Sequence, residues 1–209
     1  MKKYLIGIPA LDMMPTATTV ALTQLKRVGA VKHSFICNSL VSDARNMLAK
    51  QAIESDADRI LFIDSDMYFE PDAMQRLEAD MDNGAEMVCG LYFKRMLPTE
   101  PCIYRAAEIV QTDKGNRGHI EAYTDYPKDR VFEVEACGFG MVMIDTDLII
   151  EVAKNYGAPF NPYMGLLGED ISFCYRARQL GHKIYCDSSI KIGHVGQMIY
   201  GENQWLAQK

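Results

Sequence analysis

Short apolar runs alternate with longer amphipathic stretches through the first half of the chain. Runs near 3–8, 31–37, 59–64 and 86–91 have strand length and β-branched or aromatic character, while 16–28, 43–55 and 71–82 between them carry helical spacing. Pro71 suits the first turn of a helix and Gly84 the turn that follows one. This alternation predicts a mainly parallel sheet with helices packed on both sides, the α/β class.

The pattern changes from Lys94 to Arg130, where Pro, Gly and charged residues interrupt two short β-like pieces at 101–105 and 118–124. We read this stretch as a hairpin or flap over a site. Strands follow near 131–136 and 140–145, then a helix near 146–155. A Gly-, Pro- and aromatic-rich loop to Gly168 leads into a helix from about Glu169 to Leu180. The 209 residues fit one domain, with residues 1–92 as one half and 93–209 as the other.

Charge and composition narrow the function classes. A formal net charge of −6 gives no general attraction to nucleic acid or anionic lipid. No apolar run approaches the ~20 residues that span a bilayer, and the start M-K-K-Y-L-I-G-I-P-A breaks too soon for a signal peptide. The six cysteines form no C-x-x-C pair and read as small buried apolar residues. Together these features point to a cytoplasmic protein without an integral membrane segment.

Candidate chemistry concentrates where the third apolar run ends. Ile60 to Ile63 should be buried on both faces, so Asp64, Ser65 and Asp66 emerge at the carboxyl end of that strand, where open α/β sheets bind ligands. Two neighbouring carboxylates repel unless a cation or donors offset them, and a hard divalent ion that also holds phosphate oxygens does so. A solvated Asp-Ser-Asp turn is the plain alternative. Ser42-Asp43-Ala44-Arg45-Asn46 offers Ser42 as a helix cap and aims Arg45 toward the same edge, at a phosphate or base, at Asp43 or Asp64, or at both. Gly168-Glu169-Asp170 opens a helix, which is ordinary cap grammar or an acid–base pair. Cys137-Gly138-Phe139-Gly140 allows close backbone approach, or is a simple bulge. His194 lies between Gly193 and Gly196 in a segment with no amphipathic period.

In order and spacing these motifs resemble the nucleotide-sugar-dependent glycosyltransferases of the A-type fold, most closely the inverting group called family 2. The resemblance runs from K-Y-L-I-G-I-P-A to the His194 loop. It implies a donor that is a nucleoside diphosphate sugar and a Mn²⁺ or Mg²⁺ ion held by Asp66 and His194, with Asp64 on the ribose or reaching the ion through water. It implies Pro9 and Ala10 against the nucleobase, Ser65 and Arg45 in the donor site, and the donor sugar passing Gly138. It implies Asp170 as general base, with Glu169 orienting it or touching the acceptor. Leu11 and Asp12 replace the polar residues usual after the proline, which leaves the base open.

The resemblance also sets the alternatives. A haloacid-dehalogenase-like phosphatase ends its first strand in Asp-x-Asp, whereas here two α/β units come first and Tyr68 replaces the usual Thr or Val. A sugar nucleotidyltransferase needs a glycine-rich basic loop after strand one, which P-A-L-D-M-M-P is not. A catalytically inactive carbohydrate- or nucleotide-binding relative is the non-enzymatic alternative. The acceptor is open: a glycan, small molecule or protein is favoured over modified DNA, and a homo-oligomer could present it. Residues 194–203 are expected to be a C-terminal lid hinged at Gly196 and Gly201, or else core packing of Met198, Ile199 and Tyr200.

Overall fold

The computed structural model describes residues 1–208. In chain order the elements are β1 (Lys3–Ala10), α1 (Thr16–Gln24), β2 (Ala30–Cys37), α2 (Val41–Glu54), β3 (Arg59–Ile63), β4 (Met67–Phe69), α3 (Ala73–Asp82), β5 (Met87–Leu91), β6 (Ile103–Thr112), β7 (Gly115–Ala122), β8 (Val131–Val134), β9 (Ala136–Cys137), β10 (Met141–Asp145), α4 (Thr146–Tyr156), α5 (Glu169–Gln179), β11 (Ile184–Val195), β12 (Ile199–Tyr200) and α6 (Glu202–Leu206). The result is a mixed α/β fold, a sheet flanked by helices.

The central sheet runs β12-β11-β5-β10-β3-β1-β2, with β4 and β8 pairing to β11 off this path. β1 pairs in parallel with β2 and β3, as alternation predicts. β10 corrects the simple parallel picture, because it inserts antiparallel between β3 and β5. Its position follows from its connection: β10 enters from the β6–β9 region and runs back toward the amino edge, where α4 begins directly at Thr146.

Alternation of side chains through the sheet builds two cores. Ile60 and Phe62 of β3 face a layer with Leu48 of α2, Leu148 of α4 and Phe173 of α5. Leu61 and Ile63 face the other layer, with Leu77 and Met74 of α3 and Ala21 of α1. Both faces of β3 are therefore dry, which explains its unbroken apolar run. Phe62 also packs edge-on to Phe160, and removing such a buried ring typically costs about 3–5 kcal/mol.

The second half is more extended than the sequence pattern predicts. The two short β-like pieces belong to a long β6–β7 hairpin, in a three-stranded sheet ordered β7-β6-β9. β4, the long strand β11 and α6 have no counterpart in the sequence reading. α1 ends at Gln24, short of the expected 28. α2 begins at Val41 with Leu40 in the cap position, so Ser42 lies inside its first turn and is not the cap. α3 begins at Ala73, two residues after Pro71. Five cysteines are buried and Cys37 is exposed, and all six are free. Among the described residues no helix is long and apolar enough to cross a membrane.

Candidate active site at the carboxyl edge of the sheet

A cleft of about 390 Å³ opens at the carboxyl ends of β1 and β3, lined by Pro9, Ala10, Leu11, Ser39, Leu40, Val41, Asp64, Ser65, Asp66 and His194. The backbone brings these segments together. β1 and β3 run parallel, so Pro9–Ala10 and Asp64 leave the sheet at the same edge. Asn38 donates its N–H to Leu11 O at 3.0 Å, which ties the loop after β2 to the loop after β1. Asp64 N–H donates to Gly140 O at 2.9 Å, holding the Asp-Ser-Asp turn against the turn that precedes β10.

Asp66 and His194 meet because β4 and β11 pair antiparallel, with Met67 opposite His194 and Val195 N–H donating to Asp66 O at 2.8 Å. The histidine is therefore a strand residue, which corrects the expectation of an unpatterned loop. Its Nε2 lies 3.1 Å from Asp66 Oδ2, and its Nδ1 lies 3.1 Å from Phe93 O. A carbonyl only accepts, so Nδ1 carries a proton and Nε2 is the nitrogen turned to Asp66. The same Asp66 Oδ2 accepts from Arg95 Nη1 at 2.7 Å. Burial pushes the Asp66 carboxyl up, but the hydrogen bond and charge of His194 and the charge of Arg95 outweigh it and hold it below its ordinary value.

The Asp66–His194 pair fits a divalent ion. Two neighbouring ligands of an octahedral ion with bonds of about 2.1 Å stand about 3 Å apart, the separation found between Oδ2 and Nε2. The carboxylate suits Mg²⁺ or Mn²⁺, and the imidazole would add one nitrogen donor. Asp64 does not complete the pair. Its Oδ1 accepts from Arg45 Nη2 at 2.8 Å, and among the described residues no three His, Cys, Asp or Glu side chains converge as a metal group.

Arg45 is the pivot of the neighbouring cluster. It projects from the first turns of α2 into the interior, with its side chain only 3% exposed and its guanidinium 5.1 Å from the Phe139 ring centroid. One end binds Asp64 and the other binds Glu169 at the start of α5. Burial works against its charge, but Asp64, Asp170 and Glu169 together hold it firmly protonated. The pairing of Arg45 with Asp64 matches one of its two readings, and the two do not exclude each other. The adjacent Asn46 ties down the loop before α5: its Oδ1 accepts from Phe160 N–H at 3.0 Å, and its Nδ2 donates to Asn161 Oδ1 at 3.0 Å.

Among the described residues no cation contacts Asp170. Its Oδ1 accepts the N–H of Ile171, at 2.7 Å. Burial first, then the neighbouring charge of Glu169, push its carboxyl up to about 6, with Arg45 opposing. Asp64 is likewise pushed up by burial, offset mainly by Arg45. Gly138 lies deeper than expected: a Cβ there would stand 2.0 Å from the Tyr92 hydroxyl, so Tyr92 alone accounts for the glycine. In the expected lid, Ile199 pairs with Val195 across a β11–β12 hairpin, Tyr200 is buried, and Met198 and Ile199 face outward. Sequence reasoning missed Arg95, the Phe93 carbonyl and the apolar wall of Leu40 and Val41.

No protein-family profile matches the chain. No curated protein matches it by sequence. Among solved structures it is similar to the crystal structure of A197 from STIV, with a TM-score of 0.67, 20% sequence identity, and coverage of 94% of this chain and 86% of that one. At that identity the likeness speaks to the fold, an α/β protein, and the structure adds an acidic cleft at the carboxyl edge of its sheet.

Proposed function

We propose that the chain is a metal-dependent glycosyltransferase of the A-type fold, moving a sugar from a nucleoside diphosphate sugar to an acceptor hydroxyl with inversion. One observation carries this reading. Pro9, Ala10, Asp64, Ser65, Asp66 and His194, named from sequence for donor and ion binding, line a single cleft, and Arg45 and Glu169 link that cleft to Asp170.

Each residue then has a task set by its surroundings. The backbone after Pro9 and the apolar wall of Leu11, Leu40 and Val41 would hold the flat base, with Ser39 and Ser65 available for polar contacts. Asp66 and His194 would hold the ion, which neutralises charge on the departing diphosphate. Arg45 fixes Asp64 and Glu169 without touching bulk solvent, so both carboxylates keep their aim through the reaction. Asp170 takes the proton from the acceptor hydroxyl. A carboxyl pushed up to about 6 is a stronger base than an ordinary one and is still ionised at neutral pH.

The phosphatase alternative asks for a free nucleophilic Asp, whereas Asp64 is engaged by Arg45. The direct test is a thermal-shift and turnover panel of nucleotide sugars with Mn²⁺. The reading expects at least one donor to raise the melting temperature only with the ion present and to release nucleoside diphosphate. Release of inorganic phosphate from simple phosphomonoesters, with no response to nucleotide sugars, would overturn it.

A further inference from the structure

The Lys94–Glu100 segment that follows β5 places a second cation over the candidate ion site. Arg95 Nη1 donates to Asp66 Oδ2 at 2.7 Å, the same oxygen that faces His194 Nε2, and lies 3.4 Å from Val195 O. Its stem packs on Gly196, where a Cβ would stand 2.6 Å from Arg95 Cδ. The second glycine of Gly193-His194-Val195-Gly196 thus leaves the passage through which Arg95 reaches Asp66. The Arg95 side chain is 51% exposed, so the guanidinium sits at the rim and has room to turn. Its support is fixed: Thr99 N–H donates to Gln208 Oε1 at 2.9 Å, and Thr99 Oγ1 donates to Lys94 O at 2.6 Å.

We infer that Arg95 is a displaceable counter-ion for Asp66 that becomes a ligand of the donor's diphosphate once a divalent ion takes its place. The inference rests on the reading of the cleft as a donor site. Without an ion, Asp66 Oδ2 has Arg95 and His194 as its charge partners. A divalent cation bound between Asp66 and His194 repels a guanidinium held on the same oxygen, and the repulsion is strong in a partly desolvated cleft. A diphosphate removes the conflict, because its oxygens can bind the ion and a guanidinium at once, and the planar fork of arginine suits two phosphate oxygens. Arg95 therefore opposes binding of the ion alone and favours binding of the ion together with diphosphate. The cleft fills in concert.

The test compares wild-type protein with Arg95→Gln and Arg95→Lys, titrated calorimetrically with Mn²⁺ alone and then with inorganic pyrophosphate at saturating Mn²⁺. Circular dichroism checks that each variant is folded. Arg95→Gln should bind Mn²⁺ alone about three- to tenfold more tightly and pyrophosphate about tenfold more weakly, with Arg95→Lys in between. Opposite signs in the two titrations cannot come from a general loosening of the cleft. If wild type binds both probes and Arg95→Gln leaves either affinity unchanged or shifts both the same way, the role of Arg95 falls while the donor-site reading stands. If folded wild type binds neither probe, the donor-site reading falls and the inference with it.

Discussion

Two arginines sit among carboxylates at opposite edges of the same sheet, and their surroundings differ in one respect. At the amino edge, Arg59 binds Asp145 through Nε at 2.8 Å, and Glu78 and Asp82 through Nη1 at 2.6 and 3.0 Å. Lys2 pairs with Glu78 and Asp82, and Tyr4 donates to Glu78. Asp145, Glu78 and Asp82 around Arg59 each touch a cation. At the carboxyl edge, Arg45 binds Asp64 and Glu169, but among the described residues Asp170 touches no cation, and Asp66 pairs with His194 and the half-exposed Arg95. The amino edge also borders the larger cavity, about 460 Å³, lined by Lys2, Asp58, Arg59, Asp145 and Thr146. The two edges differ less in cavity size than in how the carboxylates around each arginine are paired. A balanced network holds a fold together, while an unbalanced one keeps groups ready for a ligand.

The strongest way to break this comparison is to remove each arginine in turn. Arg45→Met and Arg59→Met should each destabilise the fold by about 3–5 kcal/mol, since each strands buried carboxylates. Only Arg45→Met should also abolish transfer per folded molecule. Denaturant melts paired with turnover in the folded fraction check this, and equal loss of turnover in both variants would erase the distinction between the edges.

Removing the unpaired carboxylate is the next largest effect. Asp170→Asn keeps the shape but cannot accept the proton, so transfer should fall by about 10²-fold or more while binding of donor and Mn²⁺ persists. Single-turnover rates beside calorimetric titration separate the two. In wild type, Asp170 must be ionised to act, so the transfer rate should decline as pH falls below about 6. That acidic limb should vanish from the residual activity of Asp170→Asn.

A smaller effect sharpens the contrast in stability. Asp170 is pushed up from the ordinary carboxylate value of 3.8 to about 6, so the folded state binds its proton more tightly than the unfolded state. Its contribution to stability is therefore present below pH 4 and lost as pH rises through about 6. Asp170→Asn should then be more stable than wild type at pH 7.5, by about 1 kcal/mol after solvent screening. At pH 4 the two should differ little. Equal stability at both pH values would show that the carboxylate is compensated after all.

How much of this was legible in sequence depends on how local the cause is. The β3 run and the Asp64–Asp66 turn were readable because burial on both faces writes an unbroken apolar strand ending in polar residues. The start of α5 at Glu169 was readable from Gly168 and the acidic first turn. β11 was not, because Asp187-Ser188-Ser189 interrupts its alternation where the strand bulges within its pairing with β5, between Asp187 and Lys191. The antiparallel entry of β10 was also hidden, since a strand buried on both faces carries no mark of its direction. Arg45 was visible as a residue aimed at the right edge, but its link to Glu169 spans 124 positions and exists only in the fold. Arg95 sat inside a stretch read as a flap, its one signal being a basic pair close after the carboxyl end of β5.

The most direct measurement is release of nucleoside diphosphate from a panel of nucleotide sugars with Mn²⁺, run side by side for wild type and Asp66→Ala. Asp66 lies at the rim of the cleft, so its loss should leave the melting temperature nearly unchanged while removing one of the two ion-binding side chains. The account predicts Mn²⁺-dependent release from at least one donor by wild type and a loss of about 10²-fold or more in Asp66→Ala. Release that is equal in the two proteins, or no release and no binding of any nucleotide sugar by folded wild type, would contradict it.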